Sequence, residues 1–362
     1  MPMKENILFG EPLFRKLEEE KAGGKLMVAE VAPAVRVALG EMFGFEPGRN
    51  TMGKIVSLLR KLGFDYVVET PLGADIATYY EAMDVKERLE KGTGKYPIFN
   101  SCCIGWRTYA QAKHPELLKN ITIIASPQMT MGAVARFYLA KKLGRKPGDI
   151  SIVGIMPCTL KKNETDEKMK NGHRYVDYVV TTVELAQWAK GKGLDLARME
   201  DGALSEIMPG SSRDGMVFGV SGGMSDAVLE TMAGLMGEKT EVVDLDEDGA
   251  IRTKTVKIGK HELNIAVVQG FPNFEKIYDE IQSGKRYHMV EVMMCPYGCV
   301  GGPGQPPLAL ERVKERRAGL VRAGGESRSK TPLDSPGLKA LMDEFLETMG
   351  RKKLEELIYF NR

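Results

Sequence analysis

Five cysteines fall in three short clusters, Ser101-Cys102-Cys103-Ile104-Gly105-Trp106, Met156-Pro157-Cys158-Thr159-Leu160-Lys161 and Cys295-Pro296-Tyr297-Gly298-Cys299. Thiolates are the usual ligands of iron–sulfur clusters, and a cubane [4Fe-4S] needs four of them. This set supplies four and leaves one thiol for chemistry. Adjacent residues of an extended chain point to opposite sides, so Cys102 and Cys103 suit different tasks: one can bind metal while the other faces a neighbouring cavity. Cys295 and Cys299 are four apart, one helical turn, and could reach one centre from one face, with Cys158 as the remaining ligand. Ordinary buried thiols would be scattered through apolar runs, whereas each of these stands beside Gly, Pro or another Cys at the end of a strand-like segment.

Short β-branched runs alternate with longer periodic segments, the rhythm of an α/β architecture. Lys25 to Val31 reads as a strand entering Ala32-Pro33-Ala34. Thr51 to Leu62 reads as a helix, with Met52, Ile55, Leu58, Leu59 and Leu62 at 3/4 spacing and Gly63 as its stop. Phe64 to Glu69 is then a strand, Asp75 to Glu90 a helix, Tyr96 to Ser101 a strand that delivers Cys102 and Cys103, and Ile121 to Ser126 a strand leading into Pro127-Gln128. Ile150 to Ile155 begins a second lobe and ends at Met156-Pro157-Cys158. Tyr178 to Thr182, Met216 to Val220, Leu263 to Gln269 and Tyr287 to Met293 are further strand candidates. Sites in open α/β sheets gather at the carboxyl ends of strands, where all three cysteine clusters fall. Glu238 to Gly259 reads as a surface hairpin or loop, Gly301 to Pro307 as an irregular wrap around a ligand, and Gly337 to Met349 as an amphipathic terminal helix. The expected fold is α/β: two lobes, each a twisted, mostly parallel sheet flanked by helices, with the cofactor in the cleft between them.

With 362 residues, 43% hydrophobic and 28% charged, the chain has the composition of a globular protein, and no apolar run approaches a membrane span. Met1 to Ile7 shows no basic and apolar leader pattern, and an odd cysteine count suits a reducing compartment, so a cytoplasmic location is expected. A net charge of +2 argues against broad capture of nucleic acid. Glu311 to Lys330 nevertheless carries seven Lys/Arg against three Glu, enough for a positive patch toward an acidic partner or for a solvated helix face. His114, His173, His261 and His288 are too dispersed for a site, and Trp106 and Trp188 read as core.

The three clusters in this order resemble the catalytic domain of [FeFe] hydrogenases. The resemblance rests on Asn100-Ser101-Cys102-Cys103-Ile104-Gly105-Trp106, on Met156-Pro157-Cys158 with Lys161 and Glu164, and on Glu291-Val292-Met293-Met294-Cys295 through Cys299 to Gly304-Gln305-Pro306. Phe64-Asp65-Tyr66-Val67 and Gly73-Ala74-Asp75 also fit, and the similarity runs from about Lys25 to the end. It implies one catalytic domain over 1–362, with approximate lobes 25–148 and 149–307 and a segment 308–362 similar to the piece that some relatives carry as a small subunit.

The resemblance implies reversible formation of hydrogen from two protons and two electrons at an H-cluster, a cubane joined through a cysteine to a diiron unit with CO, CN and bridging dithiolate ligands. By similarity Cys103, Cys158, Cys295 and Cys299 hold the cubane, Cys299 bridges to the diiron unit, and Cys102 passes protons to and from the dithiolate amine. Lys161 would donate to a cyanide ligand, anchored by Glu164. Pro33, Ala34, Pro127, Gln128, Met156, Phe218 and Met293 match positions lining the diiron pocket. Anchored on Gly73-Ala74-Asp75, the family's proton path falls on Glu81 and Asp84, three apart on one helix face, with the hydroxyl between them at Thr122.

Ala34 stands where a serine is common, which removes one hydrogen bond to a cyanide ligand, roughly 1 kcal/mol. Ile104, Met294, Pro296, Tyr297 and Pro303 also depart from the usual pattern, and none removes a cluster ligand. No cysteines remain for relay clusters, so a ferredoxin or similar carrier is the expected electron partner, and insertion of the diiron unit implies maturation proteins. The alternatives are a hydrogen-sensing homologue, which often lacks the proton-transfer thiol, and a non-catalytic iron–sulfur protein of the same superfamily.

Overall fold

The computed structural model describes residues 7–92, 94–307 and 309–360. Of the leader reading, Met1 to Asn6 lie outside them. In chain order, α1 (Gly10–Ala22) leads to β1 (Leu26–Val31), α2 (Met52–Lys61), β2 (Tyr66–Glu69), α3 (Thr70–Lys91), β3 (Ile98–Phe99), α4 (Ile104–Lys113) and α5 (Pro127–Leu143). Then come β4 (Ile150–Met156), β5 (Tyr178–Thr181), α6 (Thr182–Gly191), α7 (Arg213–Val217) and α8 (Gly223–Leu235). The hairpin strands β6 (Thr240–Asp248) and β7 (Ile251–Ile258) precede β8 (His261–Gln269), α9 (Phe271–Gln282), β9 (Met289–Met293), α10 (Leu310–Gly325), α11 (Pro336–Leu341) and α12 (Arg351–Ile358).

These strands make two sheets. One runs β2-β1-β4-β5 and is wholly parallel; the other runs β3-β9-β8-β7-β6, parallel from β3 to β8 and antiparallel through the hairpin. Every residue of β4 and of β9 is buried, because helices or loops cover both faces of a parallel strand. The core around the first sheet draws on α1, α2, α3, α5, α6 and the terminal helices, while the second sheet has a separate cluster on each face. The sheets cross the 25–148 and 149–307 division. β4 pairs with β1 and carries β5 on its other edge, and β3 leaves the first half to pair with β9. Among the described residues, no helix is long and apolar enough to cross a membrane.

Several local expectations are corrected. Met216 to Val220 is no strand: α7 is capped by Ser212, whose hydroxyl accepts from Gly215 N, and the chain then turns so that Val220 makes only an isolated bridge with Gly298. Ile121 to Ser126 is no strand either, since it touches Phe99 at Ile121 and Tyr359 at Ile124, in single bridges without a run of pairing. The strand expected over Tyr96 to Ser101 shrinks to β3. The helix expected from Asp75 begins at Thr70, where Pro71 suits a first turn. The terminal helix is broken into α11, a π-turn at Met342–Leu346, a 3-10 turn and α12, which follows Gly350 at φ +76°.

Candidate metal centre

The carboxyl ends of β3, β4 and β9 carry the three cysteine clusters to one place, and β1 brings Pro33 and Ala34 to the same end of its sheet. All five cysteines are unpaired and half-buried. Cys102, Cys103, Cys158 and Cys299 line one almost wholly apolar cavity with Pro33, Ala34, Pro127, Gln128, Met156, Lys161, Phe218 and Met293. Cys295 lies outside this lining, yet Cys103 and Cys158 are near enough to act on its thiol electrostatically. Cys295 and Cys299 are not on one helical turn. Tyr297 at φ +58° and Gly298 at φ +89° curl the chain between them, and Cys299 N donates to Gly219 O at 2.7 Å. At Gly298 any side chain would strike Gly219 O at 2.3 Å, so the curl needs glycine there.

Burial, then the neighbouring thiols, pushes Cys158 up to about 11, Cys295 up to about 12 and Cys299 higher still. Burial also raises Cys102 well above the usual thiol range. Thiols so placed resist ionisation unless a cation lies between them, which is what an iron cluster supplies. Among the described residues, no three His, Cys, Asp or Glu side chains close on a single ion position. A multi-iron cluster offers separate iron atoms to separate thiolates and needs no such single-ion arrangement.

Glu164 is the most heavily bonded group at the cavity. Its carboxylate, fully buried, accepts from Lys161 Nζ at 2.8 Å, Ser126 Oγ at 2.8 Å and Gln128 Nε2 at 2.9 Å. Burial works against the Lys161 ammonium, but Glu164 outweighs it and the net shift is upward, so Lys161 is charged at neutral pH. Arg107, stacked on Phe360 at 4.2 Å, approaches the same carboxylate at 4.0 Å from outside.

Asn100 spans β3 and β9: its Oδ1 accepts from Val292 N at 2.7 Å, and its Nδ2 donates to Val292 O at 3.2 Å and to Cys102 Sγ at 3.3 Å. On the opposite wall, Gln305 Nε2 donates to Ala34 O at 3.0 Å. Arg316 of α10, fully buried, is held by Glu41 and donates to Val300 O at 3.4 Å and Pro306 O at 3.2 Å, so it fastens the loop after Cys299. The motif reading gave no role to Asn100, Ser126, Arg107 or Gln305, and it counted Arg316 in the basic run Glu311 to Lys330, from whose surface its burial removes it. Asn100 and Gln305 stood inside the quoted motifs, while the others are signalled by nothing local.

Glu81 is buried on α3, one carboxyl oxygen has no hydrogen-bond partner, and burial followed by Asp84 raises it to about 8. Asp84 is 23% exposed and pairs with Arg88 at 2.8 Å. It borders a surface cleft with Tyr79, Met83, Glu87 and the terminal Leu354, Ile358 and Tyr359. Arg88 was missed, although its i+4 spacing from Asp84 was legible. Thr122 is buried elsewhere, on the lining of a cleft with Ser101, Ile104 and Arg107. Its N–H donates to Phe99 O at 2.8 Å, and its Oγ1 accepts from Ile124 N at 3.3 Å.

The sequence model of the family described as "Iron only hydrogenase large subunit, C-terminal domain" matches residues 25–303. The periplasmic [Fe] hydrogenase large subunit of Nitratidesulfovibrio vulgaris is 38% identical over 323 residues, 85% of this chain and 76% of that one. The NADP-reducing hydrogenase subunit HndD of Solidesulfovibrio fructosivorans is 35% identical over 93% of this chain, which spans only 60% of HndD's length. The solved structure described as stepwise [FeFe]-hydrogenase H-cluster assembly in HydA(deltaEFG) superposes with a TM-score of 0.81 at 31% identity, covering 95% of this chain and 98% of that one. Cytosolic iron-sulfur assembly component 3 of Bos taurus is also similar, 28% identical over 92% of this chain and 74% of that one. By motif, cavity and these likenesses, the chain belongs to the iron-only hydrogenase large-subunit family.

Proposed function

We propose that this chain is an [FeFe] hydrogenase that interconverts protons, electrons and hydrogen at an H-cluster. One observation carries the reading: a fifth thiol, Cys102, and a charged lysine, Lys161, line the same apolar cavity as Cys103, Cys158 and Cys299, and an iron–sulfur protein without diiron chemistry has no need of either. Cys103, Cys158, Cys295 and Cys299 would hold the cubane, with Cys299 shared with the diiron unit. When bound, that cofactor supplies the electron-accepting and hydrogen-forming chemistry. The chain's own contribution is to hold charge and to move protons.

Lys161 holds a fixed positive charge at the cavity wall, kept in place by Glu164, and in a low-dielectric pocket its bonds to an anionic ligand gain strength. Cys102, steadied by Asn100, would carry an exchangeable proton at the cavity wall. Glu81, protonated at neutral pH, exchanges it onward, and Asp84 passes it to the solvent cleft. Family resemblance puts the Thr122 hydroxyl in this route, and the bond from the Thr122 backbone N–H to Phe99 O holds the residue beside β3, which leads to Cys102. Pro33, Ala34, Pro127, Met156, Phe218 and Met293 exclude water. Exposed Arg312, Lys314 and Arg317 on α10, over the loop after Cys299, would steer an acidic electron carrier such as ferredoxin.

The test is hydrogen evolution from reduced methyl viologen by anaerobic protein reconstituted with iron, sulfide and a synthetic diiron precursor, beside Cys102→Ala. Activity that collapses in the variant supports the proposal. A cubane that forms without hydrogen evolution overturns it in favour of a sensory or purely iron–sulfur role.

A further inference from the structure

Behind the cavity wall lies a buried carboxyl that the proposed chemistry does not use. Glu30, wholly buried in β1, is in register with Gly154 of β4 and Val68 of β2, and residues in register on neighbouring parallel strands present their side chains to the same face. Gly154 leaves that face bare at its position, and the Gln128 carboxamide occupies the space: a Cβ on Gly154 would lie 2.7 Å from Gln128 Oε1. Glu30 and the oxygen of Gln128 therefore sit over adjacent strands on one face.

The partners already present fix how each group is oriented. Gln128 Nε2 donates to Glu164 Oε2 at 2.9 Å and to Lys161 O at 3.4 Å. Turning the amide over would set its oxygen against a carboxylate and a carbonyl, so Oε1 must face the other way. Glu30 Oε2 accepts from Thr70 Oγ1 at 3.4 Å, whereas Glu30 Oε1 and Gln128 Oε1 are both buried without a partner. Two acceptor oxygens cannot satisfy each other, but one proton between them satisfies both.

We infer that Glu30 is a neutral carboxylic acid whose proton is donated, directly or through one bridging water, to Gln128 Oε1. Glu30 is then a positioning residue: it locks the Gln128 amide, which with Ser126 orients Glu164, which holds Lys161 at the cavity. Burial, reinforced by the Glu164 charge and opposed by Lys161, acts in the same direction by raising Glu30 well above the carboxylate range. The groups facing Glu30 are Thr70 from α3, Gln128 from α5, and Glu164 and Lys161 from the turn after β4. The hydrogen bond is independent of the proposed function; only its consequence for the cofactor rests on that reading.

The experiment is an infrared difference spectrum between wild type and Glu30→Gln, both without cofactor, at pH 7. A protonated-carboxyl stretch lost in the variant is expected; a carboxylate band lost in its place overturns the inference. In protein loaded with a diiron precursor, Glu30→Gln keeps a donor for Gln128 and an acceptor for Thr70, so the cyanide bands should stay in place. Glu30→Leu leaves Gln128 Oε1 bare and should shift them. Equal shifts in the two variants would overturn the positioning role, and if Glu30→Leu does not fold, the carboxyl band still decides.

Discussion

Glu164 and Glu81 are the same residue type, both buried beside the cavity or on the helix leading away from it, and their surroundings are opposite. Two neutral donors and a lysine ammonium saturate Glu164, whereas Glu81 keeps one bare oxygen and is pushed up to about 8. Burial alone therefore does not decide what a carboxyl is for. A carboxyl given a full set of donors is fixed in place, and one denied them is left able to gain and lose a proton near neutral pH.

Breaking the saturated member should cost most. Glu164→Ala strands Lys161 in the interior and should destabilise the protein by about 3–5 kcal/mol in urea unfolding. A loss below about 1 kcal/mol would mean that Lys161 finds solvent. For the unsaturated member the loss should appear in rate: Glu81→Gln should lower hydrogen evolution by about 10²-fold or more with the cofactor still loaded. Unchanged turnover would remove Glu81 from the proton route.

The same variant sharpens the contrast through pH. Between the ordinary 4.5 and the folded value of about 8, folded protein holds a proton on Glu81 that the unfolded chain has released, so stability falls as pH rises through this window. Asp75 and Glu291, each raised to about 7, act in the same direction. Glu81→Gln should therefore flatten the decline in Tm, most visibly between pH 7 and 8, the part of the window nearest about 8. An identical profile in wild type and variant would show Glu81 to be ionised. Asp84→Asn, at the solvent end, should cost a smaller factor, on the order of tenfold, in the same assay.

The sequence disclosed the cysteine clusters because each is local: strand, turn and thiols follow one another within a dozen residues. The parallel strands β1, β4 and β9 were legible for the same reason, as uninterrupted apolar runs. The partnering of β3 with β9 was not, since pairing across nearly two hundred residues leaves no local trace. Phe218 lines the cavity, but not on the expected strand, because Met216-Val217-Phe218 has β-type residues while the Ser212 cap and the packing of Gly215 against Asp75 impose a helix. Glu30 and Arg316 owe their significance to tertiary neighbours, so only the fold reveals them.

The tail of the chain sets a timetable. Ala125 N donates to Ile358 O at 2.7 Å and Phe360 N to Ile123 O at 2.6 Å, immediately before Ser126, Pro127 and Gln128 enter the cavity wall. During synthesis at roughly 5–20 residues per second, that wall waits on the order of ten seconds or more for its fastening segment. A nascent chain still missing Ile358 to Phe360 has all five cysteines but an unsecured wall, so cofactor loading belongs after translation has passed this point.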